Sequence, residues 1–167
     1  TSIDNLAIDS SDRLFISNMA DNGIYEIDTE TGSSRTVVEG ELAIPGGIGI
    51  ADDGTIWVAD LFAVRSVDPS SGVVTDRARV HDDAIEYPDN LAVGPDAIWL
   101  SSFVQGAVQK FDPESGLIAA TWHGLPAPIV VLPDPEGGAL VGLATGEIVR
   151  LSEPGQAYET LVRDLVM

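Results

Sequence analysis

Asp4-Asn5-Leu6-Ala7-Ile8-Asp9 returns as Asp89-Asn90-Leu91-Ala92-Val93-Gly94, with a second copy at Gly46-Gly47-Ile48-Gly49-Ile50 and a weaker fourth at Pro128-Ile129-Val130-Val131-Leu132. The spacing is about 42 residues, the length of one four-stranded unit in a repeat protein. Within each copy, large apolar residues alternate with tiny ones rather than with polar ones. A strand of that kind is covered on both faces by closely pressed neighbours. It is read as the innermost strand, A.

Outward from this phrase, the copies continue alike. A turn follows, built from Asp9-Ser10-Ser11-Asp12, Asp52-Asp53-Gly54, Gly94-Pro95-Asp96 or Asp134-Pro135-Glu136-Gly137-Gly138, residue types that accept tight or left-handed backbone. Strand B then reads Leu14-Phe15-Ile16, Ile56-Trp57-Val58, Ile98-Trp99-Leu100 and Leu140-Val141. Strand C ends on an aspartate in three copies, at Asp28, Asp68 and Asp112, each followed by a hairpin glycine, Gly32, Gly72 or Gly116. Strand D, as in Arg35-Thr36-Val37-Val38, is more polar and irregular.

No window keeps a helical period, so the chain is all-β. Evenly spaced short strands in a repeat of this length predict a β-propeller of four four-stranded antiparallel blades. A β-sandwich does not explain why one turn chemistry returns at one place in every copy. Residues 1–167 read as a single propeller region, with blades at approximately 3–38, 46–80, 88–123 and 128–162. The recurrent aspartates are expected to cap the C-to-D turns, and Trp57 and Trp99 to fill the space between blades.

Composition narrows the function classes. There are 27 acidic residues against 8 basic ones, a net charge of −19, and Lys110 is the sole lysine. Such a surface repels phosphate backbones, which excludes nucleic acid as a partner. An acidic coat suits a soluble protein of saline or extracellular surroundings, so a periplasmic or secreted setting is favoured over others. Cysteine is absent, which removes disulfides and thiolate metal sites. No apolar run is long enough to span a membrane.

Chemistry is expected where the copies differ. In a propeller the starts of the inner strands converge on one mouth, and here two copies carry Asp4-Asn5 and Asp89-Asn90, one carries Gly46-Gly47 and one is uncharged. Carboxylate and amide oxygens are the hard ligands that calcium or another divalent metal takes. The same residues also form the turn into strand A, and spacing leaves both readings open. His81 and His123 fall at the ends of D strands on the same side, placed as candidate general bases. The B-to-C loops bring Asn18, Asp21, Asn22, Asp60, Phe62, Phe103 and Gln105 towards the mouth, where they would set substrate shape.

Tyr87-Pro88-Asp89-Asn90-Leu91 with Gly94-Pro95-Asp96-Ala97-Ile98-Trp99, and Ile3-Asp4-Asn5-Leu6, resemble the inner-strand phrase of the superfamily of senescence marker protein/gluconolactonase, paraoxonase and strictosidine synthase-like propellers. The resemblance implies a calcium-type metal held by Asp89, Asn90, Asp4 and Asn5, proton transfer by Asp89, and hydrolysis of lactones or small esters. It also implies six blades, with a metal-binding glutamate and a further asparagine for which this chain has no counterpart. An incomplete propeller, self-associating through its open edges, is therefore expected. Pro45-Gly46-Gly47-Ile48 with Asp53-Gly54-Thr55-Ile56-Trp57-Val58-Ala59-Asp60 is equally similar to NHL repeats. That second resemblance implies a propeller binding a peptide, sugar or protein through its mouth loops without chemistry.

Overall fold

The computed structural model describes residues 2–163, and among them every regular element is a strand. Sixteen strands form four separate four-stranded sheets, each paired in chain order. The first blade holds β1 (Ile3–Ile8), β2 (Leu14–Asn18), β3 (Gly23–Ile27) and β4 (Ser34–Val38); the second β5 (Ile48–Ile50), β6 (Ile56–Ala59), β7 (Ala63–Val67) and β8 (Val74–Arg79). The third holds β9 (Asn90–Val93), β10 (Ile98–Ser102), β11 (Ala107–Asp112) and β12 (Leu117–His123); the fourth β13 (Pro128–Pro133), β14 (Ala139–Leu143), β15 (Glu147–Leu151) and β16 (Glu159–Val162). All ladders are antiparallel, and the chain is a four-blade stretch of β-propeller.

The expected caps form. Asp28 Oδ1 accepts from the N–H groups of Glu30 and Thr31, Asp68 Oδ1 from Ser70 and Ser71, and Asp112 Oδ1 from Glu114 and Ser115. Chief among the bonds that hold these carboxyls below the usual range are the Thr31 and Ser71 N–H groups and, for Asp112, the Ser115 hydroxyl. Four residues on, the N–H groups of Gly32, Gly72 and Gly116 return to the carbonyls of the same aspartates, which requires the left-handed φ that all three adopt.

Blades stack face to face in order. Phe15, Ile24 and Val38 of the first pack on Ile48, Ile56, Val58 and Val67 of the second. Trp57, Ala59 and Val64 of the second pack on Leu91, Ile98, Leu100 and Phe111 of the third, with Trp57 edge-on to Phe111 at 6.1 Å. Trp99 and Trp122 of the third, centroids 5.4 Å apart, meet Val131, Val141 and Val149 of the fourth. Register makes Phe15, Trp57 and Trp99 equivalent, so one large ring per interface fills the space under the next blade.

Two faces remain uncovered. Leu6 and Ile8 of β1 are about 60% exposed, and their cross-strand partners Ile16 and Leu14 are half-buried. On the fourth blade, Val130, Leu132 and Val162 are exposed. That blade departs from the sequence alignment in one detail: a register shift between Pro128 and Val130 puts Val131, not Val130, in the buried place held by Leu91 in the third. Each outer ladder also slips once, at Ile24/Tyr25, Val64/Arg65, Lys110/Phe111 and Ile148/Val149, which accounts for the irregular D strands.

Candidate functional site

The starts of the inner strands do converge. Asp4, Asn5, Asp89 and Asn90 line one cavity of about 270 Å³, together with Met19, Ile44, Gly46, Leu61, Pro88 and Ile129. Its polar groups come from the first and third blades, which are not neighbours. The second blade lies between them and contributes Gly46 to the lining.

Packing explains the glycines. A Cβ on Gly46 would lie 2.3 Å from the Asp89 carbonyl oxygen, and one on Gly47 would lie 2.6 Å from the Asn90 Cα. The second inner strand is pressed against the backbone of the third, where only glycine fits. The Gly47 N–H donates to the Asp89 carbonyl at 2.8 Å, and the Ser17 hydroxyl donates to the Gly46 carbonyl at 2.7 Å while accepting from the Asn5 N–H. Asn90 continues the seam by donating from Nδ2 to the Ile129 carbonyl at 3.2 Å. The three contacts tie each inner strand to the next, and they hold Asn5, Asp89 and Asn90 in place.

Asp89 is the most perturbed carboxyl of the cavity. Desolvation pushes it up to about 6, the charge of Asp4 adds to the rise, and the Phe103 N–H, donating to Oδ1 at 2.7 Å, opposes it. Asp4, on the more open side, is also raised by partial desolvation. Two carboxyls thus face one space, neither neutralised there by a cationic side chain.

As ligands for a calcium-type ion these residues offer hard oxygens: the carboxylates of Asp4 and Asp89 and the amide oxygens of Asn5 and Asn90, the latter free because Nδ2 makes the structural bond. In chemical type these donors suit such an ion. Among the described residues no three acidic or histidine side chains converge as a metal cluster.

The histidines lie elsewhere. His81 is exposed in the turn after β8, and His123, at the end of β12, is exposed with Nδ1 3.6 Å from the Glu86 carboxylate. Neither lines the mouth cavity. Of the loop residues expected to set substrate shape, Phe62 and Phe103 stand exposed, whereas Asn18 is spent on the Ser2 and Ala20 N–H groups and on Asp21. Asp60 is fully buried behind the wall. What the pattern of repeats did not single out is the apolar lining, Met19, Ile44, Leu61, Pro88 and Ile129. The available signal was large apolar residues in loops where turn chemistry predicts polar ones.

A wider cleft, about 840 Å³, opens between the A-to-B turns of the second and third blades. Two of its carboxylates are turn caps, Asp53 on the Thr55 N–H and Asp112 on the Glu114 N–H. No helix long and apolar enough to cross a membrane occurs among the described residues.

No protein-family model matches the chain, and no curated protein matches it. Solved structures do. Virginiamycin B lyase from Staphylococcus aureus superposes with a TM-score of 0.76 at 17% identity, over 95% of this chain and 55% of that one. A chain of a nidogen/laminin complex gives 0.78 at 17%, over 98% and 65%, and a streptogramin B lyase 0.66 at 12%, over 97% and 69%. This chain spans a little over half to about two thirds of these proteins. They include enzymes and a binding protein, and at such identities the likeness establishes the propeller fold alone.

Proposed function

We propose that the mouth is the active site of a divalent-metal dependent hydrolase of lactones or small esters. The observation that carries this reading is the convergence of two Asp-Asn pairs, from non-adjacent blades, on one cavity of about 270 Å³. Asp4, Asn5, Asp89 and Asn90 would hold the ion, which when bound supplies polarisation of the substrate carbonyl. Asp89, fixed by the Phe103 N–H, takes the proton of the water whose oxygen adds to the carbonyl carbon, and returns it to the alkoxide as the C–O bond breaks.

The test is calcium titration by calorimetry on the unmodified chain and on Asp89→Ala, alongside a panel of lactones. Binding in the first and its loss in the second is the expected result. Heat in neither removes the metal, and hydrolysis that persists with a chelator present removes its role.

A second reading, a mouth that binds a peptide, sugar or protein without chemistry, is favoured by the absence of a third acidic or histidine group among the cavity residues. Saturable binding of a lactone with no turnover would select it.

A further inference from the structure

We infer that the mouth selects substrates bearing an apolar alkyl substituent over polyhydroxylated ones, and that buried Asp60 is the positioning residue that builds the selecting wall. The inference rests on the hydrolase reading and names its substrate class.

The cavity is divided. Its polar side chains are confined to the two Asp-Asn pairs, while Met19, Ile44, Leu61, Pro88 and Ile129 present apolar side chains. A sugar-like substrate would place hydroxyls against that surface with nothing to pair them, and unpaired polar groups cost more than an alkyl chain gains. An alkyl substituent instead covers side chains that now face water: Met19 is 39% and Ile44 42% exposed.

The wall is built, not incidental. Leu61 has φ +44°, and the Phe62 N–H closes back on the Asp60 carbonyl, a three-residue turn with a bulky residue in the left-handed region. Turns of this kind are rare and strained, and they persist where the surroundings over-determine them. Here backbone bonds between Asp60 and Ala63 and from the Val80 N–H to the Phe62 carbonyl close the turn, and the Asp60 side chain anchors its start. The Asp60 carboxylate, 0% exposed, accepts from the N–H groups of Ala43 at 2.9 Å and Ile44 at 2.7 Å and is paired with the Arg65 Nε at 2.9 Å. Arg65 in turn donates to the Glu41 carbonyl at 3.0 Å. One residue therefore serves both: the Asp60 carboxylate holds Ile44 through its backbone N–H, and the Asp60 backbone begins the turn that carries Leu61. Beyond them, Phe62 meets Tyr87 edge-on at 6.1 Å and carries the apolar surface to the rim.

The experiment compares two δ-lactones of equal ring size, one with a pentyl side chain and one polyhydroxylated, in both binding and kcat/KM. The unmodified protein is expected to favour the alkyl lactone by at least about tenfold. Leu61→Asn, which suits the left-handed backbone and makes the wall polar, should reduce that ratio severalfold without lowering the melting temperature. Asp60→Asn should raise KM for the alkyl lactone while leaving kcat nearly unchanged, and leave KM for the hydroxylated one in place. A preference for the hydroxylated lactone, or a ratio indifferent to Leu61→Asn, overturns the inference and leaves the hydrolase reading standing. Alkyl-selective binding with no turnover of either lactone supports the wall and overturns the hydrolase. Binding of neither overturns both.

Discussion

Gly46-Gly47 and Asp89-Asn90 occupy the same place in successive repeats, touch each other, and serve opposite ends. The glycines have no side chains because the backbone of Asp89 and Asn90 stands where their Cβ atoms would be. The aspartate and asparagine keep theirs because the glycines let that backbone come so close. A copy lacking the Asp-Asn pair is therefore a support for the copy that has it, and not an eroded version of it.

The largest expected way to break this comparison is Gly47→Ala. Its methyl would meet the Asn90 Cα and Leu91 N at 2.6 Å, backbone atoms that cannot rotate away. A loss of about 3 kcal/mol in urea unfolding is expected. If the variant is as stable as the parent, the support argument fails.

Asp89→Asn should act in the other direction. The folded carboxyl is raised to about 6 from an ordinary 3.8, so folding disfavours its ionised form. That cost is absent below the unfolded pKa, grows as pH rises, and is complete above the folded one. In metal-free buffer at neutral pH the variant is expected to be about 1–2 kcal/mol more stable than the parent, and the gap should close near pH 4. Thermal melts across that range check it, and a gap that widens in acid contradicts the assignment.

Asn90→Ala removes the bond to the Ile129 carbonyl and should cost about 1 kcal/mol, measured by denaturant unfolding. At the mouth it should also weaken calcium binding, and Gly47→Ala should weaken it too, because its methyl would stand 2.7 Å from the Asn90 Oδ1.

The smallest effect on stability is expected far from the seam. Replacing Leu6 and Ile8 together by serine alters an exposed face and should change unfolding by no more than about 0.5 kcal/mol. The same double substitution should abolish concentration-dependent association in small-angle scattering. The parent is expected to show that association because its two terminal blades leave apolar faces bare.

Much of this architecture was legible in the sequence. Leu6-Ala7-Ile8 and its copies announced an inner strand with two covered faces, and Asp28, Asp68 and Asp112 announced their turns, because both follow from short-range steric and hydrogen-bonding rules that repeat with the chain. Asp4, Asn5, Asp89 and Asn90 were legible as a meeting point for the same reason, since the topology of repeats fixes where strand starts lie. The histidines were not, because proximity along the sequence to a mouth-side turn does not say which way an exposed loop leans. The apolar wall was hidden as well. Ile44, Leu61 and Met19 come from loops of three different connections, and Ile44 is held by the buried Asp60 carboxylate through backbone N–H groups that no side-chain pattern records. The slip at Pro128 escaped for a similar reason: Val130-Val131 reads equally well in either register until Val141 and Val149 choose between them.

Among the described residues, every ladder joins a strand to the one just before or after it in the chain. No strand has to wait for a distant partner. During synthesis at about 5–20 residues per second, each sheet of about 42 residues can be completed within several seconds of the previous one. It then presents a finished apolar surface as the platform on which its successor condenses. A ribosome-bound chain halted after any copy would therefore already be protected by native pairing up to its last sheet, with one sticky face at the growing end in addition to that of the first blade.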